Sequence, residues 1–487
     1  MQAIIIGAGI GGIATAIRLA KKGYTVSVYE QNSYPGGKLS AFEQDGFRFD
    51  AGPSLFTLPE LVDELIALQP AEENIDFPYL KLDEACRYFW NDGTQLIAYT
   101  DQDKFAEEVE QVLGVKKAIL VEYLKDAKLR YETTARIFLE KSLHKAGTFL
   151  NKEIIPALKN LHKLGLFDTM HAINKKQLKE EKLVQLFDRF ATYNGSSPYQ
   201  APGILTSIAN LELNKGTYYP QEGMYQITER LVKVAESLGV KFHYKQIVDR
   251  ILVEKGSVKG IMIDRQPIFA DLVVSNMDIY PTYKKLMREQ KQPERTLNQE
   301  RSSSALIFYW GIDRSFDELG LHNIFFSDDY QKEFQGIFQG KELANDPTIY
   351  VNITSKHTKE DAPEGQENWF VMINVPSDSG QDWDQIIVDL RKHVVEKLSK
   401  SLKVNLGDHI VTEGILEPRT IESKTSSFGG ALYGSSSNNK FSAFLRHPNF
   451  HQKIQGLYFS GGSVHPGGGV PLCLLSAKII DQLTDHA

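Results

Sequence analysis

Glycines near the start of the chain are spaced as in loops that hold phosphate groups. Gly7, Gly9 and Gly12 belong to the run GAGIGG, a GxGxxG pattern. In such a pattern the first glycine permits a tight turn, the second lets the backbone approach a pyrophosphate, and the third lets a helix pack closely. Glu30 follows where a carboxylate binds ribose hydroxyls, which disfavours the 2′-phosphate of NADP. The pattern therefore predicts a dinucleotide site.

A second glycine-rich turn lies more than four hundred residues later. Gly461, Gly462 and Gly469 belong to the segment GGSVHPGGGVP, which continues into an apolar, helix-like tail. Val470 precedes Pro471, which we expect at the first helical position because proline is favoured there. The N-terminus of this helix would present its positive dipole end to whatever occupies the turn. Two glycine loops so far apart suggest one extended cofactor, bound at both ends by one fold.

The elements around the first loop predict a βαβ unit. Residues 2–6 form an apolar strand pattern, 13–22 a helical pattern and 25–30 a second strand pattern. Further short strands are predicted at 240–244, 247–254, 258–263, 266–269 and 273–276, and one more at the glycine turn, from residue 456. A strand–helix–strand order with a glycine loop indicates an α/β fold with a Rossmann-like domain.

Composition narrows the class of protein. A chain of 487 residues is too long for one compact core, so we expect two or three interleaved domains. The net charge of −7 argues against a nucleic-acid partner, which needs a basic surface. The two cysteines, Cys86 and Cys473, suit a reducing cytoplasm, and no spacing of ligand residues predicts a metal site. No segment predicts a transmembrane span.

Two short motifs after Glu30 favour FAD over NAD. The pair Gly36–Gly37 precedes Lys38, and Gly52, Pro53 and Ser54 follow soon afterwards. This arrangement resembles the extended FAD motif of the flavin amine oxidase and carotene desaturase superfamily. Lys38 stands where that motif usually has arginine, which keeps the charge but loses a bidentate contact. By the same resemblance, the backbone of Val248 is the expected contact to the adenine end.

The whole chain resembles the bacterial-type carotenoid desaturases, which are related to phytoene desaturases. The matching segments are 1–54, 193–200, 216–224, 434–439 continuing through 444–449, and the tail from residue 456. Val464 departs from the small or hydroxyl residue that usually precedes the histidine. Segments 302–310 and 321–327 are most similar to 1-hydroxycarotenoid 3,4-desaturases.

That resemblance implies a FAD-dependent enzyme that introduces a C=C bond into a long polyene by hydride transfer. The expected substrate is a 1-hydroxycarotenoid, and the expected electron acceptor is a quinone or oxygen. A phytoene desaturase, a flavin-dependent carotenoid isomerase without net oxidation, and a non-catalytic polyene-binding flavoprotein remain alternatives. The sequence gives no prediction of the oligomeric state.

His465 is the acid/base candidate because it lies in the second glycine turn, beside the expected flavin. The alternative is a histidine that holds the loop by hydrogen bonds. Arg446 has two interpretations as well: a polar contact at the channel or flavin, or a structural ion pair. Orientation in an apolar channel and the electronics of the flavin are expected to supply most of the catalysis.

A basic segment in the middle of the chain predicts contact with a membrane surface. Residues 141–179 contain eight lysines against two acidic residues, mixed with apolar side chains. Such segments bind anionic bilayers without spanning them, although a solvated helical face has the same pattern. We therefore expect a cytoplasmic protein that is peripheral on the inner face of the cell membrane.

Three interleaved domains are expected. The FAD-binding domain comprises residues 1–75, 220–280 and 450–487. The substrate domain, with a mixed sheet, comprises 76–100, 185–219 and 281–449. A helical, membrane-contacting subdomain comprises 101–184.

Overall fold

The computed structural model describes residues 1–149, 156, 159–160, 164–340, 343–439 and 446–487. Parts of the predicted basic segment and residues 440–445 of the family-like segment lie outside these ranges.

The elements below are labelled in chain order along the described residues. The strands are β1 Gln2–Ile6, β2 Thr25–Tyr29, β3 Ala41–Gln44, β4 Phe47–Asp50, β5 Tyr79–Lys81, β6 Glu84–Phe89, β7 Gln95–Tyr99, β8 Tyr218–Pro220, β9 Lys241–His243, β10 Arg250–Glu254, β11 Ser257–Ile263, β12 Gln266–Phe269, β13 Leu272–Ser275, β14 Ser304–Ile312, β15 His322–Phe325, β16 Ile349–Asn352, β17 Glu367–Val375, β18 Ile410–Leu416 and β19 Leu457–Phe459.

The helices are α1 Ile10–Lys21, α2 Glu60–Ile66, α3 Gln102–Leu113, α4 Lys117–Phe138, α5 Ala146–Phe149, α6 Met170–Leu178, α7 Glu181–Asp188, α8 Tyr225–Ser237, α9 Ile279–Pro281, α10 Glu294–Leu297, α11 Tyr330–Phe338, α12 Trp383–Leu402, α13 Pro418–Thr425 and α14 Val470–Leu483. Short 3₁₀ or π turns occupy Arg189–Asn194, Gly203–Ile208, Asn210–Lys215, Thr282–Leu286, Thr354–Lys356, Lys359–Asp361, Leu406–His409 and Phe428–Gly430.

A parallel sheet in the order β19-β13-β1-β2-β9 carries both glycine loops. Its central strands are short apolar runs because both faces of the sheet are covered, one by helices α1, α8 and α14 and the other by strands β10 and β11. Helix α1 packs against α8 and α14, so the first and last helices of this layer are in direct contact. The predicted α/β class with a Rossmann-like domain is confirmed.

A mixed sheet in the order β18-β14-β17-β16-β15-β6-β7 forms the second layer. Strand β14 is buried along its whole length, yet its two faces have different neighbours. Leu306, Phe308 and Trp310 belong to a core that includes α12, whereas Ala305, Ile307 and Tyr309 face a cavity. This split follows from the alternation of side chains along a strand. The mixed sheet is therefore a wall of the cavity.

Helices α3, α4, α6 and α7 pack over the edge of the mixed sheet. Their apolar faces meet in one core, in which Phe105, Tyr123 and Phe187 are fully buried. In the described part of the chain, no helix is long and apolar enough to cross a membrane. The predicted division into three domains remains a prediction.

Several predicted element bounds differ from those of the structure. Strand β10 starts at Arg250 rather than at Ile247, which is largely exposed in the preceding loop. Helix α14 begins at Val470, so Pro471 is its second residue and not its first. Strand β1 and strand β12 have the predicted bounds.

Candidate active site

One cavity of about 1000 Å³ runs between the parallel sheet and the mixed sheet. At one end it is lined by the two glycine loops, and at the other by apolar and aromatic side chains. Most of the predicted cofactor contacts line it: Gly7, Gly9, Glu30, Gly37, Lys38, Gly52, Pro53, Ser54, Val248, Gly461, Gly462, Gly469 and Val470. Gly12 and His465 lie outside its lining. The structure thus brings together segments from the start, middle and end of the chain.

The first glycine loop is too tight for larger residues. Gly7 has φ +94°, and its N–H donates to Tyr29 O at 2.8 Å. A Cβ on Gly12 would lie 2.3 Å from the carbonyl oxygen of Gly7. Gly9 precedes helix α1 and offers no side-chain cap, so the first N–H groups of the helix are free for an anion. This geometry is that of a phosphate loop.

The carboxylate of Glu30 ties the loop to the end of strand β2. Its two oxygens accept hydrogen bonds from the backbone N–H groups of Ala8, at 2.7 Å, and Asn32, at 2.8 Å. Glu30 is buried but lines the cavity. The side chain is therefore held in a fixed orientation at the position where a ribose would bind.

Asn276, directly after strand β13, is a site residue that the sequence did not single out. Its Nδ2 donates to Ser460 O at 3.1 Å. A Cβ on Gly9 would lie 2.6 Å from Asn276 Oδ1, and one on Gly461 would lie 2.7 Å from Asn276 Nδ2. The amide thus fills the gap between the two glycine loops. The signal that could have identified Asn276 is its position directly after a parallel strand, because ligands bind at that edge of such a sheet.

Lys38 is fixed beside the second glycine turn. The Gly36 N–H donates to Ala8 O at 2.7 Å, which places the pair Gly36–Gly37 against the phosphate loop. Lys38 Nζ donates to the carbonyl oxygens of Ala431, at 3.1 Å, and Leu432, at 2.8 Å. Burial lowers the pKa of Lys38 to about 8, against the attraction of Asp278. Lys38 therefore places a positive charge in the cavity lining, and its neighbours compensate that charge only in part.

The Gly52 segment runs along the same wall. A Cβ on Gly52 would lie 2.0 Å from the carbonyl oxygen of Lys38, so only glycine allows this backbone approach. Ser54 Oγ is 2.8 Å from the hydroxyl of Tyr350, on strand β16. Val248 is buried in the loop between strands β9 and β10. These contacts connect the nucleotide end of the cavity to the mixed sheet.

The second glycine turn presents the N-terminus of helix α14 to the cavity. Gly469 has φ +101°, and a Cβ there would have no described atom within 4 Å. No side chain caps the helix, and its first turn, including Val470 and Cys473, lines the cavity. Burial raises the pKa of the Cys473 thiol to about 11 although Lys38 and Arg446 lower it. The helix therefore offers unpaired N–H groups and a positive dipole end to a bound group.

His465 lies behind this turn. It is 2% exposed, and its Nε2 lies 2.9 Å from Lys141 O. Because a carbonyl oxygen only accepts, Nε2 carries the proton. Burial lowers the pKa of His465 to about 4 despite that hydrogen bond. The geometry fits a loop-holding histidine, and its assignment as a catalytic base stays a prediction.

Arg446 also binds backbone rather than a carboxylate. Its Nη1 donates to Tyr433 O at 2.7 Å and its Nη2 to Ser435 O at 2.8 Å. Burial lowers the pKa of Arg446 to about 10, and Arg301 acts in the same direction. Arg446 is absent from the cavity lining, so it orders the loop that carries Tyr433.

A polar cluster stands in the apolar half of the cavity. Arg189 Nη2 donates to Glu212 Oε1 at 3.1 Å and to the hydroxyl of Tyr88 at 2.8 Å. Arg189 Nη1 donates to the hydroxyl of Tyr193 at 2.9 Å, and that hydroxyl donates to Glu212 Oε2. The pair is deeply buried, with Arg189 6% and Glu212 1% exposed. Opposite charges in such a pair compensate one another, so the wall is polar but neutral.

These features define a flavin-dependent oxidoreductase built on a Rossmann-like domain. Residues 10–479 match the family described as flavin containing amine oxidoreductase. The chain belongs to that family, and the predictions of FAD as the cofactor and of an oxidoreductase are confirmed.

Two relatives that match this chain over nearly its full length identify its group within the family more closely. The chain is 52% identical over 482 residues to a 1-hydroxycarotenoid 3,4-desaturase of Flavobacterium sp. (strain P99-3), covering 99% of this chain and 98% of the relative. It is 33% identical over 486 residues to a 4,4'-diaponeurosporene oxygenase of Staphylococcus aureus (strain MSSA476), covering 98% and 96%. The predicted membership of the carotenoid desaturase group is confirmed.

A solved oxidoreductase from Methanosarcina mazei has the same fold. Its structure matches with a TM-score of 0.66 at 17% identity, covering 99% of this chain and all of the other.

The residues present fit FAD. The phosphate loop and Glu30 suit the adenosine and pyrophosphate part, and the open space at Gly469 faces the helix N-terminus. Lys38 follows the Gly36–Gly37 pair, which contacts the phosphate loop, and its charge acts on Cys473 in the first turn of helix α14. For each residue assigned to the cofactor, the individual contact with FAD remains a prediction.

Proposed function

We propose that this protein is a FAD-dependent desaturase that converts the 3,4 single bond of a 1-hydroxycarotenoid into a double bond. The observation that carries the proposal is a continuous cavity that joins the phosphate loop to a long apolar wall. The 52% identity to a 1-hydroxycarotenoid 3,4-desaturase supports the choice of substrate and of reaction.

The reaction removes two hydrogens from adjacent carbons. One leaves with its electron pair as a hydride and the other leaves as a proton, so that a C=C bond forms. When bound, FAD supplies the acceptor for the hydride. The adjacent polyene delocalises the positive charge that hydride loss creates, so the proton leaves without a strong base.

The side chains of the protein orient the substrate and exclude water. Ala305, Ile307 and Tyr309 of strand β14 form an apolar wall, with Phe370 and Met372 of strand β17 beside them. An extended polyene in this channel keeps its reacting bond in one position, which lowers the entropic part of the barrier. The free N–H groups at the start of helix α14 suit negative charge on a bound group.

Two further features belong to the proposal: the electron acceptor and the membrane. A quinone or oxygen reoxidises the reduced cofactor and so closes the redox balance.

Carotenoids partition into bilayers, and the protein takes them from an anionic surface by peripheral contact on the cytoplasmic side. Phe167, which is 82% exposed within the basic segment, supports this surface as the contact.

The reaction is tested with purified flavin-loaded protein and a 1-hydroxycarotenoid. Product mass and absorption are followed with a quinone or with oxygen as the acceptor. Loss of two hydrogens with a shift to longer wavelength is expected. An unchanged mass with a changed spectrum would indicate an isomerase, and an unchanged carotenoid would indicate a binding protein. Phytoene in a parallel reaction separates the two desaturase assignments.

The membrane surface is tested by sedimentation with vesicles of phosphatidylglycerol or phosphatidylcholine. Binding to the anionic vesicles is expected to weaken in Phe167→Glu. Phe269→Glu is the matched control, because Phe269 is 70% exposed on strand β12, outside the basic segment. Equal binding of both variants would contradict the proposed contact.

A further inference from the structure

His322 carries a buried polar atom for which the described residues offer no hydrogen-bond partner. The residue is the first of strand β15 and is 4% exposed. His322 and Ile324 line the cavity, whereas Asn323 between them binds backbone groups on the other side. Among the described residues, Nε2 of His322 has no partner. A buried polar group of this kind costs stability unless a ligand or an ordered water binds it.

The neighbours of the ring decide which nitrogen carries the proton. Asn352 Nδ2 donates to Leu321 O at 3.0 Å, which fixes the orientation of the amide, and lies 3.2 Å from His322 Nδ1. The hydroxyl of Tyr350 lies 2.8 Å from the same Nδ1. An amide N–H can only donate, so Nδ1 accepts and is unprotonated. Burial lowers the pKa of His322 to about 3, which keeps the ring neutral. The single proton is therefore on Nε2.

The unpaired N–H matches a neutral oxygen and not an anion. Arg189, a cavity-lining residue whose charge acts on His322, is paired with Glu212 at 3.1 Å. Apart from this neutral pair, the histidine has apolar and aromatic neighbours, with Ile324 beside it and the ring of Tyr350 stacked at 6.1 Å. A lone donor in an apolar channel suits one hydroxyl at the end of a hydrocarbon chain.

A hydrogen-bonded path connects this donor to the cofactor end of the cavity. Tyr350 contacts both His322 and Ser54, and Ser54 belongs to the predicted FAD-binding set. In a 1-hydroxycarotenoid the carbon that bears the hydroxyl is two bonds from C3, one of the reacting carbons. A donor for that hydroxyl must therefore lie near the cofactor, as His322 does through Tyr350.

We propose that His322 is the specificity-determining residue, whose Nε2–H donates a hydrogen bond to the 1-hydroxyl of the substrate. This inference rests on the proposed desaturase function. It makes the hydroxyl a requirement rather than a tolerated group, because a substrate without it leaves the buried N–H unpaired. Sites built to bind a hydroxyl reject analogues that lack it far more strongly than apolar pockets reject a missing methylene.

The test compares kcat/KM for a 1-hydroxycarotenoid and for the same carotenoid with hydrogen in place of the hydroxyl. His322→Leu removes the donor, and His322→Gln keeps an N–H at a similar reach. Both variants lose the ring Nδ1, and the amide of His322→Gln restores an N–H donor that the side chain of His322→Leu lacks. His357→Leu is the control, because His357 is exposed and lies outside the cavity lining. All are compared at equal flavin content.

Wild type and His357→Leu are expected to prefer the hydroxylated substrate strongly. In His322→Leu the ratio of kcat/KM for the hydroxylated substrate to that for its analogue should fall about 10- to 100-fold, mainly because kcat/KM for the hydroxylated substrate falls. His322→Gln should keep part of this preference. Equal use of both substrates by wild type would overturn the inference without any variant. An unchanged preference in His322→Leu would also overturn it. Desaturation of neither substrate by the flavin-loaded wild type would refute the proposed function itself.

Discussion

Replacement of Gly12 by alanine is the sharpest test of the phosphate loop. The new Cβ would lie 2.3 Å from the carbonyl oxygen of Gly7, a backbone atom that cannot rotate away. An ordinary contact between these atoms needs roughly 1 Å more, so helix α1 must move away from the loop. Overpacking of this kind costs about 1–3 kcal/mol, against a gain in helix propensity of at most about 1 kcal/mol.

The displaced loop also weakens cofactor binding, because its N–H groups no longer converge on the phosphates. We expect at least a tenfold loss of FAD affinity, about 1.4 kcal/mol, and a lower unfolding midpoint. The assay is titration of the apoprotein with FAD by flavin fluorescence, together with chemical denaturation. Gly147→Ala, where a Cβ meets no described atom within 4 Å, is the control. Unchanged affinity and stability in Gly12→Ala would refute the steric argument.

Four other predictions concern Glu212, His465 and Gly469. Glu212→Gln removes the carboxylate that pairs with the buried charge of Arg189, so the free energy of unfolding, measured with denaturant, should fall by about 3–5 kcal/mol. Glu107→Gln, in the exposed pair with Lys117, should lower it by less than about 1 kcal/mol. Similar losses in the two variants would contradict the argument from burial. The pKa of His465 falls from 6.5 to about 4 on folding, so the wild-type unfolding free energy should decrease as the pH falls through that range, and less so in His465→Gln. The same variant should keep near-normal turnover per bound flavin, since a lost general base would cost about 10²–10⁴-fold. Gly469→Ala should lower the free energy of unfolding by about 1–3 kcal/mol through backbone strain alone, because φ is +101° and the new Cβ would meet no described atom within 4 Å. An unfolding midpoint equal to that of wild type would show that the turn adapts.

Local patterns were sufficient to predict the nucleotide-binding part. The strand Gln2–Ile6, the glycine loop and the following strand lie within thirty residues, and each follows from short-range periodicity or turn geometry. The end of the chain was predictable for the same reason, since a strand runs into a glycine turn and a helix. Bounds were less accurate, as with Pro471, because a helix starts where its caps and contacts allow.

The substrate wall could not be predicted in the same way. Arg189 and Glu212 pair across 23 positions, and His322 meets Asn352 across 30. Such pairs depend on the register of strands and turns that are brought together only by the tertiary fold. Asn276 is an intermediate case: its place after a strand was visible, but its contact with Gly461 was not.

The pairing of strand β19 with β13, and of helix α14 with α1, has a consequence for the biosynthesis of the protein. On the ribosome, the phosphate loop emerges first and its partner turn emerges more than four hundred residues later. Until then, the nascent chain exposes an apolar face of helix α1 and lacks half of the cofactor pocket. We therefore expect FAD to be loaded late in synthesis, so that cells short of flavin accumulate a chain that needs chaperones.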